Sequence, residues 1–199
     1  LIDSRENRKY LPGYTLAPNI EPLVSLQAAI ADCRFLLVAI PSKGFRALLQ
    51  TLKPMLADDT VLFWASKGFE IDTGLLLHEV VDQELPGYRY GIISGPTFAS
   101  EVARGLPAAI ACAGNHQPTT AAFAELLHGH HFRAYISTDI IGVELGGALK
   151  NVLAIAVGVA DGLGFGANTR AALMTRGLSE IMRLGTCLGA QQETMMGLA

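Results

Sequence analysis

The chain has 199 residues, of which 50% are hydrophobic and 17% charged, so it can bury a core of one or two ordinary domains. A formal charge of -3, a pI near 5.9 and scattered rather than clustered Lys and Arg residues argue against nucleic acid as a partner. No apolar run is expected to reach the roughly 18 residues of a membrane span, because Lys150 and Asp161 bracket the longest one. Three cysteines, Cys33, Cys112 and Cys187, are odd in number and lack CxxC spacing. They read as small core residues in a reduced, cytoplasmic setting rather than as nucleophiles or metal ligands. The start at Leu1, without Met or signal peptide, and the stop at Ala199 inside a Gly-rich phrase lead us to expect a piece of a longer protein.

Residues 1–34 open with the charged segment DSRENRK and pass through YLPGYTLAPNIEP, whose three prolines predict an irregular surface connection. SLQAAIADC reads as a short helix. FLLVAIPS is a continuous apolar run ending at Pro41, the pattern of a strand buried on both faces. A helix follows in FRALLQTLKPML, with Phe45, Leu48, Leu49 and Leu52 on one side. The unit then recurs as a strand in VLFWAS, a Lys67-Gly68 turn and a helix in LLLHEVVDQEL. A third strand, YGIIS, runs into Gly95-Pro96-Thr97 and a helix, FASEVARG. AAIACA and FRAYIS are two further strands separated by the helical TTAAFAELLHG. Such alternation predicts an α/β fold with a doubly wound, mostly parallel sheet covered on both sides.

From Ile140 onward strand signals stop. Glu144 to Ala160 is apolar nearly all round and is expected to be buried. Arg170 to Leu188 is amphipathic, with Leu173, Gly177, Ile181, Leu184 and Leu188 on one face and Arg176, Glu180 and Arg183 outward. A boundary near Thr138 divides the chain into an α/β domain, 1–138, and an all-helical one, 139–199.

In a doubly wound sheet ligands bind outside the carboxyl ends of the strands. Three successive strands end in Pro41-Ser42, Lys67-Gly68 and Ser94-Gly95-Pro96-Thr97, which should all lie on one edge. Each turn alone is an ordinary strand ending. Together, with a lysine in one and a helix start after another, they mark a candidate ligand edge. Lys150 and Asn151 sit in the most apolar helix. An ammonium there needs a partner, such as Glu144 or Asp161, a snorkelling path to water, or a lowered pKa that makes it a proton donor or acceptor near neutrality. Gly162-Leu-Gly164-Phe-Gly166-Ala167 fits the G-x-G-x-x-G/A spacing, but a helix precedes it instead of a strand. We read it as an interhelical turn with Asn168 or Thr169 as N-cap. His128, His130 and His131 read as a solvated loop, without the fixed spacing of a metal site.

SKGFE (66–70), SGPTFASEVARGLPAA (94–109) and IGVELGGALKNVLAIAVGVADGLGFGANTRAALMTRGLSE (141–180) resemble the bacterial NAD(P)-dependent glycerol-3-phosphate dehydrogenases, and the likeness runs over essentially the whole chain. The resemblance implies a Rossmann-like domain whose first βαβ unit is missing, then a truncated helical domain, with the active site between them. It implies reversible reduction of dihydroxyacetone phosphate to sn-glycerol 3-phosphate for phospholipid synthesis, with NAD or NADP as cofactor and no metal. By the same resemblance Lys150 is the catalytic acid/base, and Lys67, Gly95, Thr97, Lys150 and Asn151 bind substrate. Lys67, Ala99 and Phe45 are the implied cofactor contacts. The family's Gly-rich loop and its later substrate-binding groups are absent from the sequence, so NAD and NADP are not separable. A homodimer is the one assembly we entertain. The rival readings are another Rossmann 2-hydroxyacid dehydrogenase and a non-catalytic nucleotide-binding regulator; both lysines, which mere binding does not require, speak against the regulator.

Overall fold

The computed structural model describes residues 1–198. Its centre is a five-stranded sheet in the order β1 (Phe35–Val38), β2 (Val61–Trp64), β3 (Tyr90–Ser94), β4 (Ala108–Gly114), β5 (Phe132–Ser137). All five expected strands are present. β1, β2 and β3 run parallel, β4 returns antiparallel to β3, and β5 is parallel to β4. The antiparallel return has no signal in the hydrophobic pattern, which encodes burial and not direction.

Alternation along the strands explains why they read as unbroken apolar runs. Leu62 and Trp64 point to one side, where α2 (Phe45–Leu52) and α3 (Leu77–Glu84) supply Phe45, Leu49, Leu77, Val80 and Val81. Val61 and Phe63 point to the other, where α5 (Gln117–Leu127) supplies Phe123 and Ala124. Phe63 and Phe123 stack there with centroids 3.9 Å apart. Both faces are therefore apolar, as a doubly covered sheet requires. A short helix α1 (Leu26–Ile30) precedes β1, and another, α4 (Ala99–Ala103), lies between β3 and β4.

The helical part consists of α6 (Ile140–Gly162), α7 (Ala167–Leu188) and α8 (Gln192–Leu198), the last not anticipated from sequence. One buried carboxylate organises it. Asp139, 6% exposed, accepts from Gly142 N at 2.8 Å at the start of α6 and from Gln191 N at 2.7 Å just before α8. A second tie joins α6 to α3: buried Glu144 accepts from His78 N at 3.1 Å and lies 2.5 Å from His78 Nδ1. Burial pushes the Glu144 carboxyl up against the opposing pull of His78.

Several expectations are corrected. α6 is continuously buried only from Gly142 to Gly147; beyond that Ala160 is buried, while Val152, Ile155 and Val159 are 63%, 68% and 56% exposed. Among the described residues α7 covers just one side of that later half. On α7 the inward residues are Leu173, Gly177, Ile181 and Gly185, whereas Leu184 and Leu188 face outward. Gly166, not Asn168 or Thr169, is the N-cap of α7. Cys112 is buried, with its thiol pushed up to about 12 by burial, but Cys187 is exposed and Cys33 partly so. By length and composition alone α6, with 23 residues, is long and apolar enough over one stretch to cross a bilayer. A third of that stretch, 33%, is buried within the fold.

Candidate active site

The parallel run of β1, β2 and β3 carries the turns after Val38, Trp64 and Ser94 to one edge of the sheet. Side chains lock two of these turns together. Ser66 Oγ donates to Ile40 O at 2.6 Å, and a Cβ on Gly68, whose φ is +112°, would stand 3.3 Å from Ser42 Oγ. The loop beyond Lys67 is tied down by Arg46 of α2, which holds both oxygens of Glu70 at 2.7 Å and also pairs with Glu84 of α3. Arg46 and Thr73 hold the Glu70 carboxyl down at about 2. Lys67 therefore projects from a braced turn.

α6 crosses this edge at a glycine pair. A Cβ on Gly147 would lie 2.6 Å from Ser94 Oγ and 3.6 Å from Lys67 Cγ, so the helix axis can come this close only without a side chain there. Three residues on, Lys150 occupies the next turn, and Asn151, four residues on, shares the face of Gly147. Lys150 is half-buried. Burial, and then the charge of Lys67, lower its pKa from the usual lysine value. The two carboxylates that could have neutralised it are engaged elsewhere, Glu144 with His78 and Asp161 with Arg170 at 2.9 Å. Lys150 thus has no carboxylate partner among the described residues and a weakened hold on its proton.

A cavity of about 400 Å³ opens beside these groups. Lys67, Ser94, Gly95 and Thr97 line it together with Ala99 and Val102 of α4 and the apolar Ala65, Ile93 and Ile110. Leu11 of the early proline-containing loop forms part of its wall. Of the residues expected at the site, Lys67, Gly95, Thr97 and Ala99 are gathered here; across the seam between this edge and α6, Lys150 lines a second cavity, of about 360 Å³, against α7, and Asn151 is exposed and lines neither. Phe45 is elsewhere. It is 1% exposed in the core, edge-on to Trp64 at 5.6 Å, and does not line the cavity. Ser94 belonged in the sequence to the Ser94–Thr97 turn of the candidate ligand edge, but no role of its own was read for it there. His128, His130 and His131 lie exposed between α5 and β5, with Arg133 Nη1 3.1 Å from His128 Nε2. Among the described residues no group of three or more His, Cys, Asp or Glu side chains could hold a metal ion.

Residues 1–120 match the family described as NAD-dependent glycerol-3-phosphate dehydrogenase N-terminus, and residues 139–199 the corresponding C-terminus family. The chain is 51% identical to a glycerol-3-phosphate dehydrogenase [NAD(P)+] of Nitrosococcus oceani, over 100% of its own length and 58% of that protein. The solved structure of glycerol-3-phosphate dehydrogenase from Coxiella burnetii superposes with a TM-score of 0.95 at 41% identity, covering 99% of this chain and 60% of that one. The yeast enzyme's structure gives a TM-score of 0.84 at 29% identity, over 96% of this chain and 58% of that one. The chain thus spans somewhat less than two thirds of the relatives it matches.

Proposed function

The chain belongs to the NAD-dependent glycerol-3-phosphate dehydrogenase family, and from that premise we propose that the full-length protein reduces dihydroxyacetone phosphate reversibly to sn-glycerol 3-phosphate, a phospholipid backbone, using NAD(P)H. The observation that carries the reading is the meeting of two lysines across the seam, with Lys150 buried enough, and close enough to Lys67, to lose affinity for its proton. A group that only bound an anion would gain nothing from that loss.

The cavity fits one end of a dinucleotide: its walls are mostly apolar, suited to a flat ring, while Lys67 and Thr97 offer polar contacts. Lys67 and Ala99 are the residues we assign to the cofactor. When bound, the nicotinamide supplies or accepts the hydride. Phe45, the third residue assigned to the cofactor by resemblance, is buried in the core and does not line this cavity.

In the reduction, negative charge develops on the C2 oxygen of the ketone. Lys150 Nζ stabilises that charge and then gives the oxygen its proton; in the reverse direction, neutral Lys150 takes the proton from the C2 hydroxyl. Lys67 adds a second positive charge for the substrate, and Gly95, Thr97 and Asn151 complete its binding. We assign residues 1–138 to the dinucleotide-binding domain and 139–199 to the helical catalytic one. A cytoplasmic location agrees with three free cysteines. The exposed apolar side of α6 supports burial against further protein, either the rest of a full-length polypeptide or a second copy in a homodimer.

The test is oxidation of NADH and NADPH by the full-length protein with dihydroxyacetone phosphate beside other ketones. Turnover should require dihydroxyacetone phosphate. Turnover with a different 2-keto acid alone, or nucleotide binding without turnover, would replace this reading by the other dehydrogenase or the regulator.

A further inference from the structure

Ser94 is the last residue of β3 and is 2% exposed, yet its Oγ has no hydrogen-bond partner among the described residues. Buried hydroxyls are almost always satisfied, so an orphan of this kind asks for an explanation. The other such side-chain atom, Trp64 Nε1, belongs to a residue of the closed core that does not line the cavity. Ser94 does line it, beside Lys67 and Gly95.

The position of the hydroxyl is also constrained. Ser94 Oγ and the Lys67 stem abut the same point of α6, at 2.6 Å and 3.6 Å from where a Cβ on Gly147 would stand. Lys150 follows one turn later. The orphan hydroxyl therefore lies beside the stem of Lys67, against the turn of α6 that leads to Lys150. A serine hydroxyl can donate to an anionic or developing-anionic oxygen that two ammoniums already attract, and it rotates about a single bond to do so.

We propose that Ser94 is a further substrate contact, whose hydroxyl, unpartnered in the free protein, donates a hydrogen bond to an oxygen of the polyol phosphate held between Lys67 and Lys150. This rests on the dehydrogenase reading of the site. The free protein carries the cost of an unmade hydrogen bond, and substrate binding recovers it.

Full-length wild type and Ser94→Ala are compared in two measurements: steady-state oxidation of NADH and of NADPH with dihydroxyacetone phosphate, and thermal unfolding with and without sn-glycerol 3-phosphate. Ser94→Ala should lower kcat/KM by about 10-fold to 100-fold, the loss expected for a hydrogen bond to a charged group. The ligand-free melting temperature should stay within about 2 °C of wild type or rise, because the hydroxyl has no partner to lose. The increase in melting temperature caused by sn-glycerol 3-phosphate should shrink. A kcat/KM within about twofold of wild type would overturn the assignment. So would a ligand-free variant that melts several degrees lower, since the hydroxyl would then be part of the fold. Wild-type protein without turnover would instead remove the dehydrogenase reading and this inference with it.

Discussion

Lys150 shows how little one residue says by itself and how much its surroundings add. In sequence it is a charge in an apolar helix, and a snorkelling side chain explains it as readily as catalysis. The structure removes its two obvious counter-ions, Glu144 and Asp161, by pairing them with His78 and Arg170. It adds Lys67, whose charge lowers the proton affinity that burial has already reduced. The sign of the pH dependence follows. Ketone reduction needs the protonated amine, so kcat for reduction should fall as pH rises through a pKa below the ordinary 10.5 of lysine. Removing the Lys67 charge in Lys67→Met should move that alkaline limb to higher pH, even while KM rises. A pH profile of kcat at saturating substrate checks both directions; a limb that stays in place would show that Lys67 does not act on Lys150.

Elements are set by a few polar side chains that sequence reading passed over. Asp139 precedes Ile140, where strand signals stop, and it is the cap that starts α6. The same carboxylate binds the backbone leading into α8, a contact across 52 residues that periodicity does not reveal. Asp139→Ala should therefore lose two caps at once, costing about 2 kcal/mol in urea unfolding, with Asp139→Asn costing less. The 67–76 loop depends likewise on Arg46 and Glu70. The Glu70 carboxyl has a pKa lowered from 4.5 to about 2 by Arg46, so its contribution to stability is present above 4.5 and is lost as pH falls toward 2. Unfolding free energy should drop over that window in wild type and drop less steeply in Arg46→Gln. Equal slopes would mean that the ion pair does not persist in solution.

At the scale of the whole molecule, the sheet was legible because its strands are buried on both faces, so Val61 to Trp64 forms an unbroken apolar run. Direction was not legible, and β4 runs against β3. The edge carrying Lys67, Gly95 and Thr97 could be placed from the turns, whereas the approach of α6 depended on the close contact of Gly147 with Ser94. The burial expected for all of α6 failed because an all-round apolar pattern says that a helix will be covered, but not by which residues. Its later half, with Val152, Ile155 and Val159 exposed, is covered on one side by α7 alone among the described residues.

The central claim is that two elements from opposite sides of a seam, the β2 turn and α6, make one proton-transfer site at Lys150. The most direct test is turnover of Lys150→Ala in the full-length protein, with NADPH and saturating dihydroxyacetone phosphate. We predict a kcat lower by about 10²-fold to 10⁴-fold with nucleotide binding retained; a kcat near that of wild type would contradict the account.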